Sequence, residues 1–223
     1  MRTTVVLSVL TLVVLACSLV WATPTNVIQM PSAEIVGDGE YNISLDNTYN
    51  LGTQALQSLV GLTYGATEDF ELGIDGVTND PQGVYFNAKW RVTEADRDTH
   101  FAIGVWGVGP RFQTSPNVIY AVATLKDKSE DGSNSFNFHA GMYTGNTTFL
   151  GRDNTNVMVG TDFGGDQWRA YIDYISGNNP MGVFSVGLGY HKKNKEFGGK
   201  VAWQYWTRAQ TSAVTLQLDY WTK

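Results

Sequence analysis

Few residues of this 223-residue chain are equipped for acid–base, nucleophilic or metal chemistry. Its three histidines, His100, His139 and His191, are far apart in sequence, without the short ligand intervals that recur in zinc sites. His100 and His139 fall at positions that share a polar face with Asp162 and Asp173, where a lone histidine is more simply a hydrogen-bonded filler. Ser185 is the one serine well placed on such a face, and no nucleophile-elbow motif surrounds it. The glycine-rich piece Gly104-Val105-Trp106-Gly107-Val108-Gly109 lacks the strand–turn–helix context of a nucleotide loop. The expectation is therefore no enzyme: no catalytic residues, no metal and no cofactor.

The charged residues offer a different chemistry. Asp46, Glu71, Asp75, Asp162, Asp173 and Asp219 recur at alternate positions of apolar–polar segments, and so do Lys89, Arg91, Arg169 and Lys200. Together with His139 they are the candidate lining of an interior. Both signs are present in near balance, which suits mutual pairing and gives no strong ion selectivity. Lys plus Arg number 15 against 21 Asp plus Glu, a formal charge of −6, and no basic patch points to a nucleic-acid partner. The densest basic run, His191-Lys192-Lys193-Asn194-Lys195, reads as a solvated turn.

These side chains need a scaffold, and the sequence proposes one. Arg2, the apolar run Val5 to Val20 and the small residues of Val20-Trp21-Ala22 form a signal peptide, residues 1–22, cleaved before Thr23. The rival Leu15-Ala16-Cys17 only loosely resembles a lipidation signal. Cys17 is the sole cysteine, so the mature chain has neither disulfides nor cysteine-based metal ligands. Residues 23–38 form an N-terminal lead-in in which Pro24 and Pro31 prevent regular pairing. Residues 39–223 alternate apolar and polar side chains with period two and show no sustained helical period. About twelve strands result, and an even number returns the C-terminus to the starting side. Only Asn117 to Leu125 is apolar on both faces, which leaves its register open. The loops, including Asn47 to Gln57 and Gly145 to Asn154, are too short to form a large plug.

Alternation does not say which face meets water. Three features decide it. The polar face is rich in Gly, Ala, Asn and Ser, as in a cramped lumen rather than a water-facing surface. Its mixed charges would be very costly in an apolar core. Aromatics gather on the apolar face where strands meet turns: Tyr41, Tyr64, Phe70, Phe136, Phe163, Trp168, Tyr190 and Tyr220 form a candidate interfacial girdle. The expected fold is all-β, an antiparallel up-and-down transmembrane β-barrel of about 12 strands.

The stretch Gly61-Leu62-Thr63-Tyr64-Gly65-Ala66-Thr67-Glu68-Asp69-Phe70-Glu71-Leu72-Gly73 resembles a hairpin common in short-looped bacterial outer-membrane β-barrels of the porin-like superfamily. Met30-Pro31-Ser32-Ala33-Glu34-Ile35, followed by Gly37 and Gly39, is similar to the opening of several such barrels. Many of them end on an aromatic residue that the insertion machinery reads. Here Trp221-Thr222-Lys223 extends beyond the in-register Tyr220. The resemblance implies the outer membrane of a diderm bacterium, with lipid and the barrel-insertion machinery as partners. It also implies a narrow pore for small solutes, or a purely structural membrane protein. The competing expectation is a secreted or lipid-anchored soluble β-barrel or sandwich, its seven tryptophans offering platforms for carbohydrate or another small ligand.

Overall fold

The computed structural model describes residues 25–77, 83–111, 115–129, 133–192 and 196–222. The expected signal peptide and Cys17 lie outside these residues, as does Lys193-Asn194-Lys195. Twelve strands form one closed antiparallel barrel in which each strand pairs with its sequence neighbours and β1 closes on β12. They are β1 (Tyr41–Asn50), β2 (Ala55–Thr67), β3 (Phe70–Val77), β4 (Val84–Arg91), β5 (Thr99–Val108) and β6 (Val118–Lys128). The second half comprises β7 (Ser135–Thr144), β8 (Thr155–Gly164), β9 (Trp168–Ile175), β10 (Val183–His191), β11 (Phe197–Trp206) and β12 (Thr211–Thr222). Closure leaves no unpaired sheet edge.

The period-two pattern explains the barrel's polarity. On β4, Tyr85, Asn87, Lys89 and Arg91 are buried inside, while Val84, Phe86 and Trp90 are exposed outside. The same inversion runs round the whole sheet. The large exposed side chains are Ile, Leu, Val and aromatics, whereas Asp, Asn, Gln, Ser, Thr and Lys fill much of the buried set. Such a surface is unstable in water and stable against hydrocarbon. This inside-out arrangement excludes a soluble barrel built on an apolar core.

Several local readings need correction. Asn47 to Gln57 is not a loop: β1 and β2 run on through it, and only residues 51–54 turn. The one helical element among the described residues is a single turn, α1 (Thr147–Leu150), within the Gly145 to Asn154 loop. Asn146 caps it by accepting the Thr148 amide at 2.9 Å. Trp221 and Thr222 do not trail off; they pair with Asn42 and Tyr41 in the closing seam. At Gly107 (φ +63) the β4–β5 pairing slips by one residue, and the Gly107 amide bonds the Asn87 side chain at 2.9 Å. Trp106, in phase with His100, Ala102 and Gly104, points into the interior.

The largest surprise is the N-terminal lead-in. It runs inside the barrel. Residues 25–32 make a tight hairpin, with Val27 N–H on Met30 O at 2.9 Å and Ser32 N–H on Thr25 O at 3.1 Å. Asn26 and Pro31 form a bridge, the neighbouring Ser32 supplying the amide that proline lacks. No loop was long enough to fill the bore, and the chain fills it with its own N-terminal segment instead.

The double-faced β6 now has a cause. Val118, Tyr120 and Val122 point inward and pack with Met30 and Ala33 of that segment, while Ile119, Ala121 and Leu125 point outward. One face meets the segment and the other meets the barrel's exterior, so both are apolar.

Candidate functional site: the plugged interior

Every charged position singled out from the sequence faces the interior: Asp46, Glu71, Asp75, Lys89, Arg91, Asp162, Arg169, Asp173, Lys200 and Asp219, with His139 among them. They do not form one open lining. Most are engaged with segment 25–36 or with each other, and Asp46, Glu71, Asp75, Lys89 and Asp173 are almost completely buried.

The contacts to the segment are mainly to its main chain. Asp173 Oδ2 accepts three consecutive amides, from Ile28 at 2.8 Å, Gln29 at 2.6 Å and Met30 at 3.0 Å. A carboxylate set against a run of N–H groups is the usual complement of such a turn. Lys200 donates to the Asn26 and Val27 carbonyls at 2.7 and 3.0 Å, and its ammonium lies 5.0 Å from the Tyr171 ring centroid. Gln217 Nε2 donates to Ile28 O at 3.0 Å and Thr124 Oγ1 accepts from Ala33 N at 2.9 Å.

A second grip holds the two flanks of the segment. Lys89 and Glu71 form a buried ion pair at 2.8 Å. Lys89 also donates to Ser32 O at 3.2 Å and to the Thr25 hydroxyl, and Glu71 Oε2 takes the Val36 amide at 2.7 Å. Glu34 meets Lys126 at 3.0 Å and His100 at 3.3 Å. Behind this, Thr124 continues to His139 Nδ1 at 2.9 Å, and His139 Nε2 to Asp162 at 2.8 Å. Asp162 accepts Arg169 Nε at 2.6 Å. Arg91 turns to the rim, donating from Nε at 3.1 Å and Nη2 at 2.8 Å to the single oxygen Asp69 Oδ1. Asp75 takes Asn87 Nδ2 at 2.6 Å, and Asp46 and Asp219 are met by Gln217 and Asn42, each at 3.4 Å.

His100, Thr124, Lys126 and Gln217 belong to this site and were not singled out from the sequence. His100 was weighed as a metal or acid–base residue and read as a hydrogen-bonded filler of the polar face, but left out of the candidate lining. Thr124, Lys126 and Gln217 were available as polar positions in register with inward neighbours, once the face of β6 was known. Among the described residues no cluster of three or more His, Cys, Asp or Glu is arranged to hold a metal ion.

Among the described residues, two neighbouring spaces lie beside the segment. A cavity of about 420 Å³ opens at the end where β1 begins and β12 finishes, between Ile35 to Gly37, Arg169, His191, Trp221 and Thr222. A smaller one, about 50 Å³, continues inward past Asp219, Lys200 and Asp46. Both are lined by Thr25, His191 and Trp221, so they adjoin beside the segment rather than through the middle of the bore.

On the outside, Tyr41, Tyr64, Phe70, Phe136, Phe163, Trp168, Tyr190 and Tyr220 all lie near the rim where β1 begins and β12 finishes, each at or close to a strand end. Trp90, Phe101 and Phe197 occupy the same rim and were overlooked. Tyr41 stacks on Tyr64 with centroids 4.7 Å apart, and Trp168 meets Tyr190 at 4.9 Å.

No family model matches the sequence, and no curated protein matches it. Solved structures do match the fold. A KdgM porin aligns with TM-score 0.55 and 12% identity, over 80% of this chain and 98% of its own. The Acinetobacter baumannii outer membrane protein Omp33 aligns with TM-score 0.53 and 7% identity, over 85% and 99%. A NanC porin aligns with TM-score 0.50 and 10% identity, over 79% and 97%. At such identities the likeness is one of fold: a closed twelve-stranded barrel of this size.

Proposed function

We propose that the chain is an outer-membrane β-barrel protein of a diderm bacterium that passes small solutes through a narrow bore, held nearly closed by its own N-terminal segment. The observation that carries this reading is the inverted polarity of the closed sheet. Its apolar exterior carries aromatics near the strand ends at both rims, and its charged residues face inward. The likeness to porins supports a pore over a structural barrel. So do the adjoining cavities along the β1, β12 and β11 wall, which give a solute room beside the segment. The interior charges line this route in both signs, which fits small solutes without strong charge selection. The rim aromatics take the role of an interfacial girdle, and lipid is the partner of the outer surface.

Planar-bilayer recording of the purified full chain tests the reading. The expected result is a small, weakly selective conductance. Silence over a range of voltages, with heat-modifiable gel migration retained, would leave a structural barrel and remove the pore.

A further inference from the structure

We infer that segment 25–36 is a displaceable plug that swings out of the bore about Gly37–Gly39, and that its departure is the opening of the pore proposed above, on which reading this inference rests. Four observations lead there. First, the segment contributes no strand to the barrel, so its removal breaks none of the twelve strand pairings. Second, the wall holds it mainly by its amides and carbonyls, through Asp173, Lys200, Gln217, Thr124 and Glu71, and these are groups that water can bond once the segment leaves.

Third, the seam is poorly satisfied. The Asn26 Oδ1 and Gln29 Nε2 atoms of the segment are buried and lack a hydrogen-bond partner among the described residues. Both amide atoms of Gln204 share that state, one inward position beyond the Ala202 that packs with Val27 and Ile28. Fourth, the wall behind the segment is rich in carboxylates, amides and hydroxyls, so an emptied bore fills with water rather than standing as a dry void. Met30 and Ala33 against β6, and Val27 and Ile28 against Tyr171, hold the closed state as the favoured one. The linker suits a hinge: Gly39 has φ +72, a conformation that favours glycine, and nothing packs within 4 Å of where its Cβ would stand.

Cysteine labelling separates plug movement from conduction. The only native cysteine is Cys17, within the expected signal peptide. In liposomes, Gln29→Cys should react with a water-soluble maleimide although Gln29 is buried, with Asp166→Cys at the exposed rim as the positive control. Adding Ala33→Cys and Thr124→Cys, neighbours joined by the Ala33 N–H to Thr124 Oγ1 bond at 2.9 Å, with formation of the cross-link checked by mass, should slow that labelling at least about tenfold when oxidised and restore it on reduction. The Ala33→Cys/Thr124→Cys pair alone should hold the small conductance when oxidised and give larger openings when reduced. An inert Gln29→Cys barrel, under conditions where Asp166→Cys is labelled, overturns displacement even where a small conductance persists. Labelling of Gln29→Cys with no conductance in either redox state of the pair supports displacement and overturns the pore.

Discussion

Gln29 presents its main-chain N–H to Asp173 Oδ2 at 2.6 Å, joining the tip of the N-terminal hairpin to β9 across 144 residues of sequence. The same oxygen takes the amides on either side, so one carboxylate fixes the whole turn inside the barrel.

Asp173→Asn tests that grip. An amide at this place offers a neutral oxygen at best and turns donors toward donors at worst. A loss of about 1–3 kcal/mol is expected, the cost of leaving buried amides without an acceptor. Hydrogen exchange read by mass spectrometry should show the Ile28 to Met30 amides exchanging faster while the β9–β10 ladder stays protected. Unchanged protection at the turn would count against the assignment.

Glu71→Gln removes the charge opposite Lys89 in a place with no access to water. Breaking a buried pair from one side costs about 3–5 kcal/mol, whereas replacing both partners by apolar residues of similar volume is often neutral. Urea midpoints in detergent should therefore fall for Glu71→Gln and recover only in part in Glu71→Leu/Lys89→Met, where the Val36 amide and Ser32 carbonyl still lose their partners.

Gly65 lies where the N-terminal segment crosses the sheet. A Cβ there would stand 2.0 Å from Gly37 O and 2.4 Å from Val36 O, both main-chain atoms that cannot step aside. Gly65→Ala should unseat the segment and raise conductance in bilayers. Gly73→Ala on the next strand meets nothing closer than 3.3 Å and should leave it unchanged.

Leu188→Arg puts a charge on the outer face of β10, away from either rim, and Tyr220→Arg puts one at the rim. Unfolding free energies in liposomes should drop by about 2–4 kcal/mol for the first and about 0–1 kcal/mol for the second. Equal, small effects would contradict a hydrocarbon-facing belt.

The strands themselves were readable because each carries its own alternation, and the charged positions were readable because they keep its phase. Trp90, Phe101 and Phe197 were readable in the same way, since they sit on the apolar phase close to turns. β6 was not, because alternation vanishes when both faces are apolar. The plug was not either: Val27-Ile28-Gln29-Met30 has no period, and the groups that bind it are Asp173, Lys200 and Gln217, far along the chain. Nothing local in a sequence announces that a carboxylate will find three amides 143 to 145 residues away.

The bond from Gln217 to Ile28 spans 189 residues, and the segment it holds is tethered to β1, one side of the seam that β12 completes. Six of the wall groups that grip the segment come from β3, β4, β6, β9, β11 and β12, so the grip cannot be complete before the last strand arrives. Seating and closure are therefore a single late event of high contact order, and a slow one. Until then segment 25–36 waits, and β12 decides when the barrel becomes full.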